Sequence, residues 1–125
     1  MWPDTELRTF DLLAAPDGSV QDTGIVVPTT ALILTYGWYV QTPEASGSNT
    51  FLDVGFLLDD GAWYTRTMGD AARGSGHSAM SFFSLAAWPG LSGALVYQAR
   101  SDDWVEFRGR IFLIWTHVVP PGFGG

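Results

Sequence analysis

Apolar and polar residues alternate with period two in three segments of this chain. In 31–40 the even positions Leu32, Leu34, Tyr36, Trp38 and Val40 are apolar, while Thr35 and Gly37 fall between them. In 51–58 the set is Leu52, Val54, Phe56 and Leu58, against Asp53 and Gly55. In 104–117 the set is Val105, Phe107, Ile111, Leu113 and Trp115, against Glu106, Arg108 and Arg110. Period two places successive side chains on opposite faces of a strand, so each segment predicts one buried face. Further strand-like segments cover 7–13, 20–27, 63–68, 78–86 and 94–100, rich in Val, Ile, Thr, Tyr, Phe and Trp. Between them lie turn formers: Ala15-Pro16-Asp17-Gly18-Ser19, residues 42–49, Asp59-Asp60-Gly61, residues 69–76, Trp88-Pro89-Gly90 and Ser101-Asp102-Asp103. No segment carries a helical period. About eight strands in one domain predict an all-β, antiparallel β-sandwich of jelly-roll topology, with an immunoglobulin-like sandwich as the alternative. Residues 1–6 read as a short N-terminal arm and 119–125 as an irregular tail.

The pattern breaks between Ile111 and Trp115. Phe112 and Ile114 occupy the side that carries Glu106, Arg108 and Arg110 earlier in the strand, so both faces are apolar. Two readings fit: a central strand covered by a loop, or a subunit interface on the outward face. The adjacent pairs Trp38-Tyr39 and Trp63-Tyr64 add to this. By the pleat, at least one member of each pair lies outside the sandwich core or at an interface. Trp38, Tyr39, Trp63, Tyr64, Phe112 and Ile114 are therefore the candidate interface residues, and the first four are also candidates for a sugar-stacking platform.

The chain has 125 residues, enough for one self-sufficient core. With 46% hydrophobic and 15% charged residues it is not an acidic disordered chain. Net charge is −7, carried against arginine alone without lysine, which disfavours nucleic acid and anionic membrane as partners. The acidic start Met1-Trp2-Pro3-Asp4-Thr5-Glu6 lacks the features of a signal peptide, and the longest apolar run, 111–115, is too short to span a bilayer. The expectation is a protein made in the cytoplasm.

Candidate chemistry is sparse. Without cysteine there is no disulfide, thiolate metal site or cysteine nucleophile. His77 and His117 stand forty residues apart, the first in a Gly/Ser stretch and expected to be solvated, the second ending a strand and expected to bond a backbone group. The Gly-rich stretch 69–76 has no lysine for a phosphate loop, and no Gly-x-Ser-x-Gly elbow occurs. Asp59-Asp60 and Asp102-Asp103 could contribute to calcium binding only if other oxygens converged, and they read better as turn formers. No catalytic residue, metal site or cofactor is assigned.

Two stretches carry a resemblance. Val26-Val27-Pro28-Thr29-Thr30-Ala31-Leu32-Ile33-Leu34 resembles the strand–proline–strand passage of tumour-necrosis-factor-like jelly rolls. Trp88-Pro89-Gly90 followed by residues 91–100, ending Gln98-Ala99-Arg100, and then the apolar strand 110–114, is similar to the ending of small virion proteins of tailed phages. The resemblance covers residues 20–118. It implies a homotrimeric virion protein that serves as a decoration protein, head fibre or tail-tip module, and it carries no catalytic residues. The absence of a coiled-coil or collagen-like stem favours a capsid decoration (cement) protein bound to the major capsid or another virion protein. A carbohydrate- or receptor-binding module of a tail or fibre is the alternative.

Overall fold

The structure, a computed structural model, describes residues 5–13, 18–42, 51–70, 76–77, 83–85, 90–100 and 107–117. Its strands are β1 (Thr5–Leu13), β2 (Val20–Val26), β3 (Ala31–Thr42), β4 (Phe51–Leu58), β5 (Trp63–Asp70), β6 (Gly76–His77), β7 (Phe83–Ser84), β8 (Leu91–Arg100) and β9 (Arg108–His117). They pair antiparallel in two sheets. One has the order β1-β9-β3-β6, with β7 also on β3, and the other β2-β8-β4-β5. The fold is an all-β sandwich. Among the described residues no helix is long and apolar enough to cross a membrane.

Most strands fall where the sequence reading places them, but several limits differ: β5 runs on to Asp70, β8 starts at Leu91, and β6 lies where a Gly/Ser loop is expected. β1 starts at Thr5, so Glu6 is a strand residue paired with Trp115 and not part of an arm. The expected strand 78–86 contributes only β7 among the described residues. The tail 119–125, Asp102-Asp103, Val105 and residues 71–75 lie outside the described residues.

The core lies between the sheets. Ile33, Tyr36, Trp38, Ile111, Leu113 and Trp115 from one sheet meet Leu52, Val54, Phe56, Leu95, Tyr97 and Ala99 from the other. Tyr36 and Phe56 pack edge to face, ring centroids 5.5 Å apart, a geometry that sets the positive ring edge against the negative face. The Tyr36 hydroxyl shares a 2.8 Å hydrogen bond with Thr65 Oγ1 of β5, which ties the sheets together. Burial pushes the Tyr36 phenol above its ordinary value, so it stays neutral. Tyr36→Phe should cost about 0.5–1.5 kcal/mol, the net worth of one such bond, in a denaturant titration.

Two expectations about faces are corrected. In β3, Ala31 and Ile33 are buried at odd positions, then Tyr36 and Trp38 at even ones. The cause is a bulge: Ile33 pairs with Trp115 and Thr35 with Ile114, leaving Leu34 as the extra residue. An inserted residue reverses the parity of everything before it, so Leu32 and Leu34 leave the core. In β4, Asp53 was expected on an exposed face but is fully buried. β4 is central in its sheet, and the Arg66 guanidinium lies 3.8 Å from the Asp53 carboxylate.

Asp60 acts as a turn former, as expected for the 59–60 pair, while Asp59 bonds the Gly90 carbonyl through its backbone amide. Asp60 Oδ1 accepts from the Ala62 amide, Gly61 donates to the Leu58 carbonyl, and Gly61 takes φ 88°. A side-chain mimic of a backbone turn followed by a left-handed residue is what an Asp-Gly pair supplies at low cost.

Candidate interaction surface

The outward face of the β1-β9-β3 sheet is built in rows across three strands. Leu7 of β1 is level with Ile114 of β9 and Thr35 of β3. Thr9, Phe112 and Gly37 form the next row, and Asp11, Arg110 and Tyr39 the third. Paired residues project to the same side of a sheet, so these rows share one surface, opposite the core set Ile111, Leu113 and Trp115. Leu7 is 58% exposed, while Phe112, Ile114 and Tyr39 are partly buried among their neighbours. The third row is polar. Arg110 Nε donates to Asp11 Oδ1 at 2.7 Å, and that bond, with Tyr39 adding to it, raises the guanidinium further above its ordinary range. The result is an apolar strip of Leu7, Ile114 and Phe112 edged by an ion pair.

The structure separates the six sequence-derived candidates. Tyr39, Phe112 and Ile114 lie together on this face. Trp38 does not: it is 1% exposed, inside the sandwich, where a neighbouring molecule has no access to it. Trp63 and Tyr64 sit on β5 of the other sheet, so they do not form one platform with Tyr39. At β5, Phe56 pairs with Thr65 and Leu57 with Trp63, which makes Tyr64 the extra residue of a bulge. Strict alternation therefore fails at this pair. Arg66 stacks 5.7 Å from the Trp63 ring centroid, so a cation already covers that face. Burial raises the Tyr64 phenol above its usual value.

Leu7 escaped the sequence reading. It stands as the first residue of a segment assigned from composition alone, and only the pairing Leu7↔Ile114 shows that it extends the apolar strip.

A second constellation, also missed, lies at one end of the same sheet. Glu6 Oε1 accepts from Arg8 at 2.7 Å. Glu6 Oε2 accepts from Trp115 Nε1 at 3.1 Å and meets His117 Nε2 at 3.0 Å. His117 Nδ1 faces Thr30 Oγ1 at 3.4 Å. His117 thus meets side chains here, where a backbone partner was expected. His77 of β6 pairs through its backbone with Gly37 of β3, six residues along that strand from Ala31, the partner of His117. No group of three His, Cys, Asp or Glu side chains fit to hold a metal ion occurs among the described residues.

The fold is similar to that of a chain in the "Acidic stable capsid structure of Helicobacter pylori bacteriophage KHP30", with a TM-score of 0.64, 14% sequence identity, and coverage of 93% of this chain and 90% of that one. At this identity the likeness is one of fold. No family model and no curated protein sequence matches the chain.

Proposed function

We propose that this chain is a non-enzymatic structural protein of a phage or phage-like particle. Within that class we assign it to capsid decoration, as a homotrimer that seats on the shell through the Leu7–Ile114–Phe112 strip. The observation that carries the reading is the fold likeness to a chain of a phage capsid over nearly the whole length. The strand orders β1-β9-β3-β6 and β2-β8-β4-β5 support it as well, because we read them as a jelly roll: consecutive strands from β1 to β4 alternate between the sheets. The apolar strip supports the site. Covering it removes apolar surface from water at about 25 cal/mol per Å² before ordering costs, and repetition over a lattice adds avidity. The alternative, a carbohydrate- or receptor-binding module of a tail or fibre, ranks second because Arg66 already occupies the Trp63 face.

Sedimentation of the purified chain tests the proposal. The wild type should run at three chain masses, or as a monomer that binds phage shells at fixed stoichiometry. Phe112→Asp should retain the wild-type circular dichroism yet lose both trimer and shell binding, since it places a charge where apolar contact is needed. A wild-type monomer without affinity for shells would refute the assignment.

A further inference from the structure

We propose that the Glu6 carboxylate is a proton-operated latch: in its ionised form it holds the first residues of β1 on β9, and its protonation lets them go. Three donors from two strands converge on this one carboxylate. Arg8 comes from its own strand, and the Trp115 indole and the His117 ring come from β9. His117 then reaches Thr30, in the turn before β3. The same end of β1 has a second tie, the Arg8 guanidinium stacked 5.1 Å from the Trp115 ring centroid. The far end of β1 is held differently, by burial of Leu12 and partial burial of Phe10 against the core. Among the described residues β1 is an edge strand of its sheet, so there its first residues have a partner strand on one side only. Local opening in such a segment does not require global unfolding.

Among the described residues, Arg8 and His117 are the charged or titratable groups that act on Glu6. The Arg8 hydrogen bond is the larger cause, and together they hold the carboxyl below the ordinary glutamate range. The sign follows from linkage. A carboxyl depressed on folding adds stability that is complete above its unfolded value and lost as pH falls through the folded one. A protonated carboxyl loses its charge-assisted bonds to all three donors. Opening would uncover the Trp115 ring and free Leu7 beside the apolar strip, which links pH to the surface described above while standing independently of what that surface binds.

Hydrogen exchange on the purified full chain tests the latch, read as protection factors that divide out the intrinsic pH dependence. From neutral pH to below the ordinary carboxylate range, protection of β1 amides in 5–8 should fall about tenfold, while 10–13 hold. Glu6→Gln should show the low value at every pH. His117→Gln should keep a pH response, its midpoint moved toward the ordinary glutamate range, because the proton is taken up by Glu6 and one of the groups that depress it is gone. Flat protection across 5–8 in the wild type, an unchanged pH response in Glu6→Gln, or a response abolished by His117→Gln would each overturn the proposal.

Discussion

Gly55→Ala should cost about 3 kcal/mol or more in a denaturant titration, at or beyond the top of the usual overpacking range. Gly55 lies in the middle of β4, with Arg66 of β5 opposite on one side and Val96 of β8 on the other. A methyl group there would overlap the Thr65 carbonyl oxygen and lie 2.7 Å from Arg66 Cα. Both obstacles are backbone, so no side-chain rotation relieves them. The bulge at Tyr64 is adjacent, and bulges add twist that draws neighbouring backbones together. β5 would have to move away, taking with it the Thr65 hydroxyl bonded to Tyr36. Gly18→Ala is the control: nothing lies within 4 Å of its added methyl group, and the change should stay within about 0.5 kcal/mol. Equal stabilities for the two variants would show that β4 and β5 do not approach as described.

Leu113→Ala should cost about 2–5 kcal/mol, the range for a buried leucine whose cavity only partly collapses. Leu113 is fully buried on β9, between β1 and β3, and pairs with Arg8 on one side and Tyr36 on the other. Its neighbours Ile111 and Trp115 belong to the same packed layer. Phe112 one residue earlier faces the other way, and Phe112→Ala should cost clearly less in the isolated subunit. If Phe112→Ala proved the more damaging, the register of β9 would be out by one and the apolar strip would lie inside the sandwich.

Much of the fold was legible because period-two alternation is a local signal with a direct geometric meaning. Leu52, Val54 and Phe56, and likewise Phe107, Ile111, Leu113 and Trp115, are buried as their spacing indicates. The outward set Phe112 and Ile114 follows from the same pleat. Where the reading failed, a tertiary feature intervened. The first half of β3 was assigned to the wrong face because nothing in Leu32-Ile33-Leu34-Thr35 marks Leu34 as a bulge. Asp53 was placed in solvent because an aspartate at an outward position ordinarily is, and its burial depends on Arg66 and the strands to either side. The Glu6 cluster was invisible because two of its donors stand more than one hundred residues away: Glu6 meets Trp115 and His117 only once β1 lies along β9.

By itself the sequence determined the all-β class, the position of most strands, the core faces of β4 and β9, and the doubly apolar end of β9. These are properties of neighbouring residues, set by the pleat and by turn chemistry. Tertiary structure alone decided which strands pair and in what order, which of the six candidate aromatic and aliphatic residues share a surface, and that Leu7 joins them. It also decided between the two readings of Trp38, core residue by alternation or interface candidate, in favour of the core, and it showed that Glu6 gathers three donors. Each depends on register between distant segments, and a one-residue bulge such as those at Leu34 and Tyr64 changes register at little local cost while moving every side chain beyond it to the opposite face.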